Sequence, residues 1–239
     1  MGVLYNSRIV TDGLVLCLDA GDKMSYPGSG STWNDLSKQG NNATLYNSPS
    51  FTNNNSGGLV FDGTNQYFMT DLNTIGQANT SFTFGGYFYN TTNTHSSDNR
   101  FIFSNYVTLN NDGFFALTTY TSTPILRLWM RDSSRGNSTQ SNGVVPQVGT
   151  WYHVIGVRNH SNSTAQFYVN GELIHNYSYP GSVSVTDGSS STSYFGGVAH
   201  TAGNQIIPAT VSSVQLYNRA LSAEEIRQNY KATKGRFGL

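Results

Sequence analysis

The sequence predicts an all-β protein, a two-sheet antiparallel β-sandwich of the jelly-roll kind with one short C-terminal helix. Three observations predict it. Short alternating or β-branched segments recur along the 239 residues, clusters of Gly, Asn, Ser and Pro separate them, and only one stretch carries a helical period with recognisable caps. Strands do not alternate with helices as in βαβ units, and the length suits a single sandwich domain over residues 1–239.

Taken in order, the predicted strands are Gly13–Asp19, Leu59–Asp62, Gln66–Thr70, Ser81–Asn90, Phe101–Val107, Gly113–Tyr120 and Ile125–Arg131. Tyr152–Asn159, Ala165–Asn170, Glu172–Ser178, Ser193–Ala199 and Ala209–Asn218 follow. The alternation is clearest in ILRLWMR: Leu126, Leu128 and Met130 fall on one face and are assigned to the core, while Ile125, Arg127, Trp129 and Arg131 point outward. Asn170-Gly171 joins two of these segments, and both residues accept the positive φ that a type I′ hairpin turn requires. The GG steps at Gly57, Gly85 and Gly196 are not followed by helical patterns and read as bulges or turns.

The helix is Ala220–Lys234, with Ser222 as N-cap and Glu225 completing a capping box. Ile226 and Tyr230 form its docking stripe, expected to close one edge of the sandwich. Tyr26–Gln39 and Asp132–Asn142 lack periodicity and are read as long exposed loops. Cys17, the one cysteine, lies in an apolar run and reads as a small buried hydrophobe.

Composition excludes several functions. Charged residues make up 11% of the chain against the usual ~25%, and thirteen basic side chains balance thirteen acidic ones. Without a Lys/Arg run there is no electrostatic footprint for nucleic acid or for an anionic membrane surface. No apolar run approaches the ~18 residues of a membrane span, and MGVLYNSRIVTDG lacks the pattern of a signal peptide, so a soluble protein made without export is expected. A retaining glycosidase needs two carboxylates about 5 Å apart. The three glutamates, Glu172, Glu224 and Glu225, lie in a hairpin and the helix, and the five histidines are scattered, so no catalytic residues are assigned.

WYHVIGVRN followed by AQFYVNGELIHN resembles the paired-strand signature of the laminin-G-like, concanavalin A-like lectin/glucanase jelly rolls. LVFDGTNQYF is similar to that family's FDG block, and VQLYNRALSAEEIRQNY to its C-terminal strand and helix. The opening, RIVTDGLVLCLDAGDKMSYPGSGSTWNDLSKQGNNATLYNSPSF, and the close, NYKATKGRFGL, resemble small stand-alone members from tailed bacteriophages. The resemblance implies a sandwich of twelve to fourteen strands, often with one structural calcium. The positions matching the family's calcium-loop blocks are Asp35, Asn41, Asn42 and Asp62, with Asp35 the first choice. Against them stand Ser212-Ser213 and Gln66, where family members often carry acids. Asp35 and Asp62 also have a second reading, as turn-forming acceptors of backbone N–H groups.

Sugar recognition needs flat rings and hydrogen-bonding groups. Trp33 and Trp151 are assigned to packing, whereas Trp129 shares its outward face with Arg127 and Arg131 and is the glycan-binding candidate, unless a sheet edge or a neighbouring subunit covers it. Tyr106, Tyr120, Tyr177 and Tyr179 are further candidates. The reading that results is a non-enzymatic virion surface protein, a capsid decoration or fibre-associated protein made in the host cytoplasm, with weak glycan adhesion. Its expected partners are other virion proteins, a host cell-surface glycan and further copies of itself. A dedicated tail-associated receptor lectin and, more remotely, a divergent polysaccharide-cleaving enzyme are the alternatives.

Overall fold

The computed structural model describes residues 8–54, 57–72, 80–93, 100–104, 114–119, 125–131, 138–179, 194–195 and 208–239. The strands are β1 (Leu14–Asp19), β2 (Thr32–Trp33), β3 (Ala43–Tyr46), β4 (Ser50–Thr52), β5 (Gly58–Phe61), β6 (Tyr67–Asp71), β7 (Phe82–Asn90) and β8 (Arg100–Ser104). They continue with β9 (Phe114–Thr119), β10 (Arg127–Arg131), β11 (Ser138–Gln140), β12 (Thr150–Asn159), β13 (Thr164–Val169), β14 (Glu172–Ser178), β15 (Tyr194–Phe195) and β16 (Ala209–Tyr217). Helix α1 (Ala223–Thr233) runs into a 3-10 turn, Lys234–Phe237. The strand-rich, antiparallel architecture with one short C-terminal helix is the predicted one, with sixteen strands among the described residues rather than twelve to fourteen.

Eight strands form one sheet in the order β14-β13-β12-β7-β16-β5-β4, and β1 also pairs with β16. On one edge of β16, β5 takes Ala209–Val211 and β1 takes Ser213–Tyr217; the other edge belongs to β7. The remaining strands make two four-stranded sheets, β11-β10-β9-β8 and β15-β6-β3-β2. The main core lies between these layers. Phe84, Phe88, Val154, Phe167 and Leu216 of the large sheet pack with Phe103, Leu117, Leu128, Met130, Trp33 and Phe68 of the smaller ones.

Sandwich strands usually hide one face and wet the other. Here β12, β7 and β16 are buried along nearly their whole length, because the outward residues are covered as well. Ile155, Val157, Tyr168 and Tyr217 pack under Ile226 of α1, and Tyr87 and Trp151 pack under Phe237. Helix α1 therefore covers a face of the large sheet, not an edge of the sandwich as expected. Ser222 and Glu225 form the predicted capping box, and Arg219 grips Glu225 with N–O distances of 2.9 and 2.6 Å. That guanidinium holds the Glu225 carboxyl below its ordinary range. Beyond the helix, Arg236 pins the tail to Asp19 at 2.5 and 2.9 Å.

The predicted I′ turn is present, with φ of 51° at Asn170 and 79° at Gly171. Gly85 and Gly86 are neither bulge nor turn. They sit inside β7 in unbroken register with β12, where a Cβ on Gly85 would lie 1.9 Å from the Val154 carbonyl oxygen and one on Gly86 1.9 Å from that of Ser213. Gly57 does occupy a loop at φ 101°, and Gly196 is outside the described residues. The expected loop Tyr26–Gln39 contains β2, and the part of Asp132–Asn142 that is described contains β11.

His153, on the outward face of β12, is sealed between the Tyr87 and Tyr230 rings at centroid distances of 4.6 and 5.8 Å. Burial pulls its pKa from 6.5 to about 3. The unfolded chain takes up this proton near 6.5 while the folded chain refuses it until about 3, so stability is complete above that window and declines as pH falls through it. The slope approaches 1.4 kcal/mol per pH unit for this one group. Urea midpoints measured from pH 7 downward should fall accordingly, and His153→Phe should flatten the decline.

Candidate functional site

Strand β10 follows the predicted alternation. Leu126, Leu128 and Met130 are buried in the core, whereas Ile125, Arg127 and Trp129 are half-exposed on the opposite face. Cross-strand register places Trp129 between Ala116 of β9 and Gln140 of β11, with Arg127 opposite Thr118. The Arg127 guanidinium carbon lies 5.9 Å from the Trp129 ring centroid, and the same group donates to the Gln140 side-chain carbonyl. A half-exposed indole, a planar cation and an amide thus share one patch, offering an apolar ring to a ligand and polar groups around it. Arg131 ends the strand opposite Phe114 and Ser138, and its side chain is outside the described residues.

Asp35 occupies the loop between β2 and β3. Its Oδ1 accepts from the backbone N–H groups of Cys17 and Ser37, both at 2.8 Å. Oδ2 accepts from the Ser37 hydroxyl at 2.6 Å and the Asn41 N–H at 3.0 Å. A carboxylate has about four lone-pair sites, so this one is fully engaged by donors whose positive ends face it. Asn41 donates its amide to the Val15 carbonyl at 2.7 Å, and Asn42 Oδ1 accepts from the Asp35 N–H at 2.9 Å. Asp62 is tied into a separate turn, accepting from the Thr64 N–H at 2.8 Å. Among the described residues no group of three or more His, Cys, Asp or Glu side chains is close enough to share a metal. Calcium prefers six to eight oxygens with free lone pairs, and these four residues as arranged do not fit it. Asp35, with Asn41 and Asn42, acts as a staple that holds its loop against β1.

Trp33 is wholly buried and Trp151 is 5% exposed, consistent with packing roles. Cys17 is half-buried, and burial aided by the Asp19 and Asp35 charges pushes its thiol up to about 12, far from a reactive thiolate. Tyr106 and Tyr120 lie outside the described residues. Tyr179 is buried, its hydroxyl accepting from Arg158 Nε at 3.0 Å, whereas Tyr177 is half-buried with its hydroxyl enclosed. The sequence reading missed a different pair, Tyr46 of β3 and Tyr67 of β6. They face each other across the ladder and stack at 4.5 Å with an interplanar angle of 10° on the outward face of the second small sheet. The alternation of Tyr67 and Met69 against buried Phe68 and Thr70 was the available signal.

Residues 62–227, more than half of the chain, match the family Laminin_G_3, described as the concanavalin A-like lectin/glucanases superfamily. The chain belongs to this family. The Laminin_G_3 chain is also similar in fold to the sialidase of Trypanosoma rangeli in complex with sialic acid, at 21% identity and a TM-score of 0.66, covering 94% of this chain and 33% of that one. The botulinum neurotoxin serotype D binding domain is similar at 14% identity and a TM-score of 0.66, covering 93% and 52% respectively. The binding domain of Paraclostridial Mosquitocidal Protein 1 is similar at 14% identity and a TM-score of 0.68, covering 92% and 52%. This chain therefore spans a third to a half of those proteins, and the likeness concerns the fold. None of the curated proteins is a match.

Replacing Asp35 by Ala strands three N–H groups and one hydroxyl, and the expected loss is about 3 kcal/mol of unfolding free energy in denaturant titration. Chelator should leave the melting temperature of the native protein unchanged. A chelator-induced fall of several degrees that disappears in Asp35→Ala would restore the metal reading.

Proposed function

We propose that this Laminin_G_3 chain is a non-enzymatic, carbohydrate-binding surface protein of a tailed-phage particle, attached as a capsid decoration or fibre-associated protein. The observation that carries the binding reading is the Trp129 patch, where a half-exposed indole is flanked by Arg127 and Gln140. An indole face stacks on the C–H side of a sugar ring, and the guanidinium and amide answer its hydroxyls. The fold neighbours support the class of ligand, one being a sialidase in complex with sialic acid and others being toxin binding domains. The phage setting rests on the resemblance of the opening and closing segments.

The non-enzymatic part is supported by the company the acids keep. Glu225 is gripped by Arg219, Glu172 lies 3.6 Å from Arg227, Asp19 is paired with Arg236, and Asp35 is saturated by donors. Each of these four is engaged by a cation or by hydrogen-bond donors. A patch of this size gives weak single-site affinity, and many copies on one particle would raise it by about 10² to 10⁴ through avidity.

The test is retention of purified, labelled protein on bacterial cells and on immobilised envelope polysaccharide. Trp129→Ala should weaken retention at least tenfold while moving the melting temperature by no more than a few degrees, and Trp129→Phe should keep part of the binding. Failure of the well-folded native protein to bind any cell or polysaccharide would overturn the reading.

A further inference from the structure

The edge strand β4 is the last strand of the large sheet, so one of its backbone edges has no strand partner. Beside it lie two open cavities, of about 430 and 460 Å³, that share Tyr26, Gly28, Ser29 and Phe51 in their walls. Each falls within the ~300–1,000 Å³ of ordinary small-molecule sites. Their floor is aromatic, with the Tyr26 and Phe51 ring centroids 5.6 Å apart and the planes tilted by 53°. Tyr26 is buried and donates its hydroxyl to the Gly30 carbonyl at 3.1 Å, which fixes the loop that forms the wall. Gly28, at φ 101°, passes over Phe51, and a Cβ there would sit 3.6 Å from the ring. Phe51 is half-buried there, with part of its ring lining both cavities.

The rim is made of Ser29, Ser31, Ser48 and Ser50, all exposed. Three other serine hydroxyls are engaged: Ser25 with the Asn34 carbonyl, Ser37 with Asp35 and Ser212 with the Gly57 carbonyl. No hydrogen bond joins the four rim hydroxyls to any other described residue. Lys23 is the one charged side chain in the described walls. Flat rings beneath, unengaged hydroxyls around and almost no charge are the complement of a neutral sugar, whose ring presents C–H groups on a face and hydroxyls at the edge. A charged sugar would need a fixed counter-charge that this groove offers only at Lys23. Two adjacent cavities with four lining residues in common suit successive rings of a chain rather than one ring.

We infer that the groove between the Tyr26–Ser31 loop and strand β4 binds an uncharged saccharide chain, stacked on Phe51 and held by the serine rim. The inference rests on the carbohydrate-binding reading of the family fold and assigns a second site to it, separate from the Trp129 patch.

The test is titration calorimetry of the full chain with maltoheptaose, cellohexaose, chitohexaose and 3′-sialyllactose, and with neutral and acidic fractions of bacterial envelope polysaccharide. Ser29→Arg places a long charged side chain in the groove from an exposed loop position, and Phe51→Leu removes the flat ring while keeping apolar bulk. Both should weaken binding of a neutral chain at least tenfold. Because Ser29 is exposed, Ser29→Arg keeps the test valid if Phe51→Leu unfolds. Neutral binding that Trp129→Ala abolishes and Ser29→Arg leaves intact would overturn the groove and keep the Trp129 reading. Binding of acidic probes alone would do the same, whereas no binding of any probe by folded protein would overturn both.

Discussion

Burial of both faces of β12, β7 and β16 is the constraint on which the remaining structure depends. Their inward residues meet the two small sheets, and their outward residues Tyr87, Trp151, Ile155 and Tyr217 would be wet without Ile226, Tyr230 and Phe237. Leaving several large side chains exposed costs roughly 1.5–3 kcal/mol each, so the terminal helix and tail are part of the core, not an appendage. The close contact of β7 with both neighbours at Gly85 and Gly86 belongs to the same arrangement, since any side chain there would meet backbone. With one side of the large sheet occupied in this way, the surfaces left open among the described residues include the outward faces of the small sheets and the rim at β4.

Polar groups follow a similar economy. Arg158 is fully buried, yet its guanidinium lies 5.3 Å from the Tyr179 ring centroid and 5.9 Å from that of Phe82 and donates to the Tyr179 hydroxyl. Arg219 and Arg236 are spent on carboxylates that close the helix start and the tail. These arginines serve as fastening within the fold.

Much of the fold was legible in the residues. The alternation of ILRLWMR, the Asn170-Gly171 turn and the Ser222–Glu225 capping box each state a local geometry that packing had no reason to override. Strands β2, β3, β4 and β11 escaped because two to four residues are too few to show a period. The helix was misplaced to an edge because apolar residues on both faces of β12 leave no alternation to say which face needs a cover. Of the site, Trp129 and Arg127 were readable from strand parity, while the Tyr46–Tyr67 stack depends on a register between strands far apart in sequence. Asp35 shows the limit most plainly: the same short carboxylate serves as ion ligand or loop staple, and only its four donors decide.

The position of β16 has a consequence for how the chain comes together. It is the last strand in the order of synthesis, yet it lies between β7 on one edge and β5 and β1 on the other. Until it is made, the large sheet exists as three pieces with no ladder joining them, β14-β13-β12-β7, β5-β4 and β1, and the Val10 N–H must wait for Asn229, 219 residues later, to accept its hydrogen bond. A topology dominated by such distant pairings folds slowly. The nascent chain therefore holds open, unpaired strand edges through most of translation, which makes it a natural client for chaperones and a poor candidate for stepwise folding on the ribosome.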